Sequence, residues 1–309
     1  MTDVVISEFM DETAIREHLG TFDVHYDPKL VDQPQRLHEL LRNCCALVVR
    51  NRTQVRGALL EAAPRLRVVG RLGVGLDNID VAACAARDIR ICPATGANDL
   101  AVSEYVICAA MLLLRRAWLA TDTVIAGKWP RMEVIGRELA GKRLGLVGFG
   151  AIARLTAHKA LALGMTVAAY DPFVEPQNDA WRGIERLELR HLLATSDIVS
   201  LHIPLTPQTQ YLIDAAAIAQ MRSGSILINA ARGGVLDETA LIEALRSRRL
   251  GGAAIDVFES EPLTATAGNA WRDLPNLLLT PHIAGITEES NARVSQVVAR
   301  AVLDALGNR

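Results

Sequence analysis

Lys142-Arg143-Leu144-Gly145-Leu146-Val147-Gly148-Phe149-Gly150-Ala151-Ile152-Ala153 reads as a short apolar strand, a glycine-rich turn and the first turn of a helix. Gly148, Gly150 and Ala153 fit the pattern G-x-G-x-x-G/A. The first glycine permits the tight turn, and the second lets backbone N–H groups approach a pyrophosphate. The small third residue lets the helix pack on the strand. The helix N-terminus at Ala151 and Ile152 then turns its partial positive charge toward phosphate. Downstream, Met165-Thr166-Val167-Ala168-Ala169-Tyr170 has the composition of a second strand. It ends in Asp171, at the distance expected of an acid that bonds a ribose hydroxyl. Asp171 also fits a plain strand-end turn before Pro172. The glycine turn upstream favours a bound dinucleotide.

Outward from this stretch, strands and helices alternate. Toward the N-terminus, strands are expected at 4–6, 22–26, 46–49, 67–70 and 89–92. Helices between them carry apolar residues at helical spacing, such as Ile15 and Leu19. The pattern changes near Ala97-Asn98-Asp99, where a long buried helix is predicted from about Val102 to Ile125. Beyond the glycine turn, strands are expected at 167–170, 198–201, 226–228, 252–255 and 277–279. This rhythm indicates parallel sheets. A last helix after Thr287 has one apolar side, Val294, Val298 and Val302 among it.

At 309 residues the chain exceeds the usual size of one core, so two domains are expected. The predicted division is 1–99 with 283–309, and 100–282. The formal net charge of −2 gives no general attraction to nucleic acid or membrane. Cys44, Cys45, Cys84, Cys92 and Cys108 have neither C-x-x-C spacing nor an even count, which argues against a disulfide framework and a zinc site. No metal is expected. Without a basic, apolar leader or a membrane-length apolar run, a soluble cytoplasmic protein is expected.

Three further stretches follow strands, where open α/β sheets bind ligands. In Asn229-Ala230-Ala231-Arg232-Gly233-Gly234 the arginine is placed to fork onto a carboxylate. The second is Asp256-Val257-Phe258-Glu259-Ser260-Glu261-Pro262. In Thr280-Pro281-His282-Ile283-Ala284-Gly285 the histidine sits on a firm turn, and with a carboxylate partner it is a natural acid–base group. Each alone also fits a bland role: a surface ion pair for Arg232, a solvated acid for Glu261, a structural ring for His282.

Together, the glycine turn and these three stretches resemble the D-isomer-specific 2-hydroxyacid dehydrogenase family over nearly the whole chain. The resemblance implies two Rossmann-like, doubly wound parallel-sheet domains with a cleft between them, NAD as cofactor, and a homodimer through the cofactor domains. It places the catalytic roles on Arg232, Glu261 and His282. Cofactor contacts fall on Val74, Gly148, Gly150, Ala151, Ile152, Asp171, Ile203, Pro204, Ala230, Ala231, Arg232, Asp256, His282 and Gly285. Substrate contacts fall on Gly73, Val74, Gly75, Arg232 and His282, with the loop amides of Val74 and Gly75 matching those that hold the substrate carboxylate. Arg50, Arg52 and Arg71 suggest a second anion on C3 of the substrate, as in 3-phosphoglycerate or (S)-sulfolactate. Formate dehydrogenases carry Gln where this chain has Glu261, so chemistry on a hydroxy acid is the better reading. The alternatives are a hydroxypyruvate/glyoxylate reductase and, in another class, an NAD-sensing corepressor-like protein.

Overall fold

The computed structural model describes residues 2–307. Met1, Asn308 and Arg309, which the two-segment domain read from the sequence includes, lie outside the described residues. The chain forms two compact units, Met1–Asn98 with Ile286–Arg309, and Asp99–Gly285.

The first unit holds β1 (Val4–Ile6), β2 (Val24–Tyr26), β3 (Ala46–Val49), β4 (Val68–Arg71) and β5 (Arg90–Pro93). They form a parallel sheet of order β2-β1-β3-β4-β5, one of the two common doubly wound orders. Alternate residues feed two cores. Val4, Ile6, Ala46, Val48 and Val68 pack on the helix Glu288–Leu306 through Val294, Val298 and Val302. Val5, Leu47, Val49 and Val69 face Leu37, Leu41, Leu59 and Leu60. Gly70 is needed where that last helix crosses β4, because a Cβ there would lie 2.8 Å from Val298 Cγ1.

The second unit holds β6 (Arg143–Val147), β7 (Thr166–Tyr170), β8 (Glu185–Arg186), β9 (Ile198–Leu201), β10 (Ile226–Asn229), β11 (Gly252–Ile255) and β12 (Leu277–Leu279). The sheet is parallel throughout, in the order β12-β11-β10-β9-β6-β7-β8. Strand order reverses at β6, the switch point where open sheets take ligands. The two-residue β8 has no apolar signal and escapes sequence reading. The helix expected to reach Ile125 spans Asp99–Arg115 instead. Arg116 adopts a left-handed φ of 55°, which an L-residue does not carry through a helix, and short helices follow over Ala117–Ala120 and Thr121–Ile125. Among the described residues no helix is long and apolar enough to cross a membrane.

Candidate active site

In the second unit the residues singled out from the sequence lie at the carboxyl ends of neighbouring strands. Across the sheet come His282 after β12, Asp256 and Glu261 after β11, Arg232 after β10, Ile203 and Pro204 after β9, Gly148 after β6 and Asp171 after β7. Polar and ionisable groups thus gather at one end of this edge, and the glycine turn occupies the other.

Gly148 has φ 91°, and a Cβ on it would lie 2.5 Å from the His202 carbonyl oxygen and 2.7 Å from Ile203 Cγ2. Only glycine fits, and the β6 and β9 loops therefore touch. Gly150 is the N-cap of the helix Ala151–Ala162; it supplies no side-chain cap, and a Cβ there would meet nothing within 4 Å. The first N–H groups of an α-helix have no intrahelical acceptor. Here they border open space at the positive end of a twelve-residue helix, which suits a pyrophosphate. Ala153 is fully buried, as close helix–strand packing requires. Asp171 Oδ2 accepts the Phe149 N–H at 2.8 Å and Oδ1 accepts the Phe173 N–H at 2.9 Å. One residue therefore fixes the turn while its carboxylate keeps lone pairs for a ribose hydroxyl. Glycines, helix end and acid together fit a dinucleotide.

At the other end, His282 Nδ1 lies 2.8 Å from Glu261 Oε2. Glu261 Oε1 accepts the Phe258 N–H at 3.0 Å. Burial pushes the Glu261 carboxyl up, but the His282 ring, the Phe258 N–H and the Arg232 charge outweigh it and hold it below its ordinary value. It is a carboxylate at neutral pH, and it engages Nδ1 of the ring rather than Nε2.

His282 has a left-handed φ of 56°, uncommon for a residue other than glycine. Asp256, with no solvent exposure, holds the turn in that shape. Its Oδ1 accepts from the Ile283 N–H at 2.8 Å and the Thr280 hydroxyl at 2.6 Å, its Oδ2 from the Ala284 N–H at 2.8 Å, and its carbonyl from the His282 N–H at 2.8 Å. Burial pushes the Asp256 carboxyl up, against those bonds. Tyr105 Oη meets Thr280 Oγ1 at 2.6 Å, and burial pushes that phenol up to about 12. Tyr105 and Thr280 escaped the sequence reading, because a Tyr inside an apolar helix and a Thr before Pro281 carry no chemical signal. The Arg232 turn is shaped by Asn229, which accepts the Ala231 N–H at 3.1 Å and donates to the Arg232 carbonyl at 2.8 Å.

The first unit presents its own arginines. Register pairs Val49 with Arg71, so Arg50 and Arg71 lie at the carboxyl ends of adjacent strands. A Cβ on Gly73 would lie 2.1 Å from Arg71 Nη1, which places that guanidinium on the Gly73-Val74-Gly75 loop. Arg50 Nη2 donates to Asn291 Oδ1 at 2.6 Å, its guanidinium stands 5.9 Å from the Phe9 ring centroid, and burial pushes its pKa down. Arg52 turns elsewhere, pairing with both oxygens of Asp32 in a half-exposed ion pair. The loop itself is anchored by buried Glu8, whose carboxylate accepts the N–H groups of Arg50, Arg52 and Thr53 at 2.9, 3.1 and 3.0 Å. Among the described residues no group of three His, Cys, Asp or Glu is set to hold a metal.

Comparison with known proteins agrees with this geometry. Residues 107–284 match the family model for the D-isomer specific 2-hydroxyacid dehydrogenase, NAD binding domain. The chain is 52% identical over 310 residues to an (S)-sulfolactate dehydrogenase of Chromohalobacter salexigens, covering all of both chains. It is 38% identical over 259 residues to a D-3-phosphoglycerate dehydrogenase of Archaeoglobus fulgidus, covering 84% of this chain but 49% of that longer protein. The crystal structure of an NAD-dependent formate dehydrogenase from Staphylococcus aureus in complex with NAD superposes with a TM-score of 0.83 at 27% identity, covering 99% of this chain and 95% of that one. A family match over more than half the chain, and an identity that runs its full length, agree with the open glycine turn of the second unit: this protein belongs to the D-isomer-specific 2-hydroxyacid dehydrogenase family and is an NAD-dependent dehydrogenase.

Proposed function

We propose that the chain oxidises (S)-sulfolactate, or reduces 3-sulfopyruvate, with His282 as acid–base group, Glu261 as its orienting partner and Arg232 as the carboxylate-binding fork. The observation that carries the chemistry is the His282–Glu261 pair, which commits Nδ1 to a carboxylate and leaves Nε2 for the reacting oxygen. When bound, NAD supplies the hydride acceptor. His282 takes the hydroxyl proton in oxidation and returns it in reduction. Arg232 holds the carboxylate. Residues 100–282 form the cofactor-binding domain, and 1–99 with 283–309 the substrate-binding domain. The sulfonate reading rests on the substrate of the Chromohalobacter relative and on Arg71, whose guanidinium lies on the substrate loop. Arg50 is the second cation, and Arg52 is already engaged by Asp32. The S isomer of sulfolactate has the D-like arrangement, because the sulfonate-bearing carbon outranks the carboxyl.

Steady-state rates on (S)-sulfolactate, 3-phosphoglycerate, D-lactate and glyoxylate test this. The sulfonate should give the highest kcat/KM. Arg71→Ser should lower it by about 1.5–3 kcal/mol, the value of one hydrogen bond to a charged group, and spare glyoxylate. A wild type that prefers glyoxylate makes the hydroxypyruvate/glyoxylate reductase the better reading.

We also infer a cytoplasmic homodimer through the cofactor domain. Val124, Ile125, Trp129, Met132 and Ile135 are all exposed within one short segment, an apolar surface that a second copy would cover. Light scattering should give twice the chain mass, and Ile125→Glu with Trp129→Ala should halve it.

A further inference from the structure

Past Ile255 the sheet no longer supports the chain, yet the loop from Asp256 to Pro262 must deliver Glu261 to His282. Two acids outside the pair do the holding. The Glu259 N–H donates to Glu238 Oε1 at 2.6 Å, and the Glu238 N–H donates to Glu259 Oε1 at 3.2 Å. Glu238 is the first residue of the helix Glu238–Arg246, where an N–H lacks an intrahelical acceptor and a negative charge is favourable. Tyr211 donates its hydroxyl to Glu259 Oε2 at 3.1 Å and its N–H to the Gly234 carbonyl at 2.8 Å. At Gly233 a Cβ would lie 2.0 Å from the Phe258 carbonyl oxygen, so the two backbones touch. The Arg232 turn and the Glu261 loop are therefore joined into one piece.

This joint has an electrostatic cost. Burial, and the charges of Glu259 and Glu261, push the Glu238 carboxyl up. The helix already has its cap in Asp237, which accepts the Ala240 N–H at 3.0 Å, so Glu238 is not needed for capping. A local cost beside the reacting groups is the mark of a site built for function.

We propose that Glu238 and Glu259 are positioning residues that fix Glu261 against His282, a role that rests on the acid–base function proposed for that pair. The test is a set of kcat and KM measurements with NADH and whichever of 3-sulfopyruvate or hydroxypyruvate the wild type reduces faster. Glu238→Ala and Glu259→Ala should each lower kcat about 10–100-fold, as a misplacement of about 1 Å does, with KM for NADH within about twofold. Glu238→Gln and Glu259→Gln keep an acceptor oxygen and should restore most of the loss. In a Glu261→Gln background the same alanine changes should cost less than about threefold, because residues acting through one group are not additive. Tyr211→Phe, on an exposed side chain, removes one hydroxyl without risk to folding and should lower kcat about threefold in the wild-type background alone. Unchanged kcat in the alanine variants and Tyr211→Phe, or equal losses in both backgrounds, overturns the positioning role. Full activity in His282→Ala instead overturns the acid–base assignment.

Discussion

Strands β1 and β6 hold the same place in their sheets. Each has a parallel neighbour on both sides, and one of those is the next strand in the chain. The turns that leave them are opposites. After β6 come Gly148 and Gly150, and the helix that follows has no side-chain cap. After β1 comes Glu8, whose carboxylate takes three N–H groups of the β3 loop, and the next helix is capped by Asp11, which accepts the Ala14 N–H at 3.1 Å. One sheet meets its exposed donors from within, and the other keeps them for an anion from outside. The same kind of turn is thus closed by an acid in one sheet and left open by glycines in the other.

The largest expected effect lies on the self-satisfied side. Glu8→Ala strands three backbone donors, at about 1–3 kcal/mol for each that is buried, so unfolding free energy should fall by about 2–5 kcal/mol. Denaturant titration reads it, and an unchanged midpoint would show that the β1 turn is not held by its acid. Next comes the open side. Gly150→Val adds atoms into space that no protein atom fills, so the cost in stability should be no more than about 1 kcal/mol, that of a poorer N-cap. The affinity for NADH should drop at least tenfold, about 1.4 kcal/mol, by fluorescence titration. Loss of stability with affinity intact would reverse the contrast between the turns. The smallest effect belongs to Glu261. Its folded-state pKa is depressed, so its stabilisation is present above the unfolded value and lost as pH falls through the folded one. Glu261→Gln should flatten the acid side of the stability curve. It should also lower kcat, since the ring loses the carboxylate that orients it. Identical curves for variant and wild type would mean that Glu261 does not engage the ring in solution.

What the sequence made legible follows from what leaves a local trace. The glycine turn, the strands and the family stretches are local patterns; each expected strand is present, though the one expected at 22–26 is only Val24–Tyr26 and those at 67–70 and 89–92 are shifted by one residue. The end of the helix at Arg115 was not legible, because Arg116 and its neighbours carry no breaker; the left-handed turn is imposed by context. Residues with a chemical identity of their own, such as His282 and Glu261, could be singled out in advance as candidates, and the fold brings those two together. Those that work through partners far along the chain could not: Tyr105 meets Thr280 across 175 residues, and Glu8 meets Thr53 across 45. Arg52 shows the converse. Its residue type suggested an anion from solution, and a carboxylate of its own unit, Asp32, takes the fork.

The helix Glu288–Leu306 closes the first unit's core, yet it is made after every strand of both units. The second unit is one continuous stretch, Asp99–Gly285, and has all its strands before that helix leaves the ribosome. Domains fold as units while synthesis proceeds. In this protein the order of birth is inverted: the unit begun first is finished last. Until Val294, Val298 and Val302 arrive, one apolar face of β1, β3 and β4 stands uncovered on the nascent chain. The hundred residues made first therefore wait for a helix encoded after the whole second unit before their core is complete.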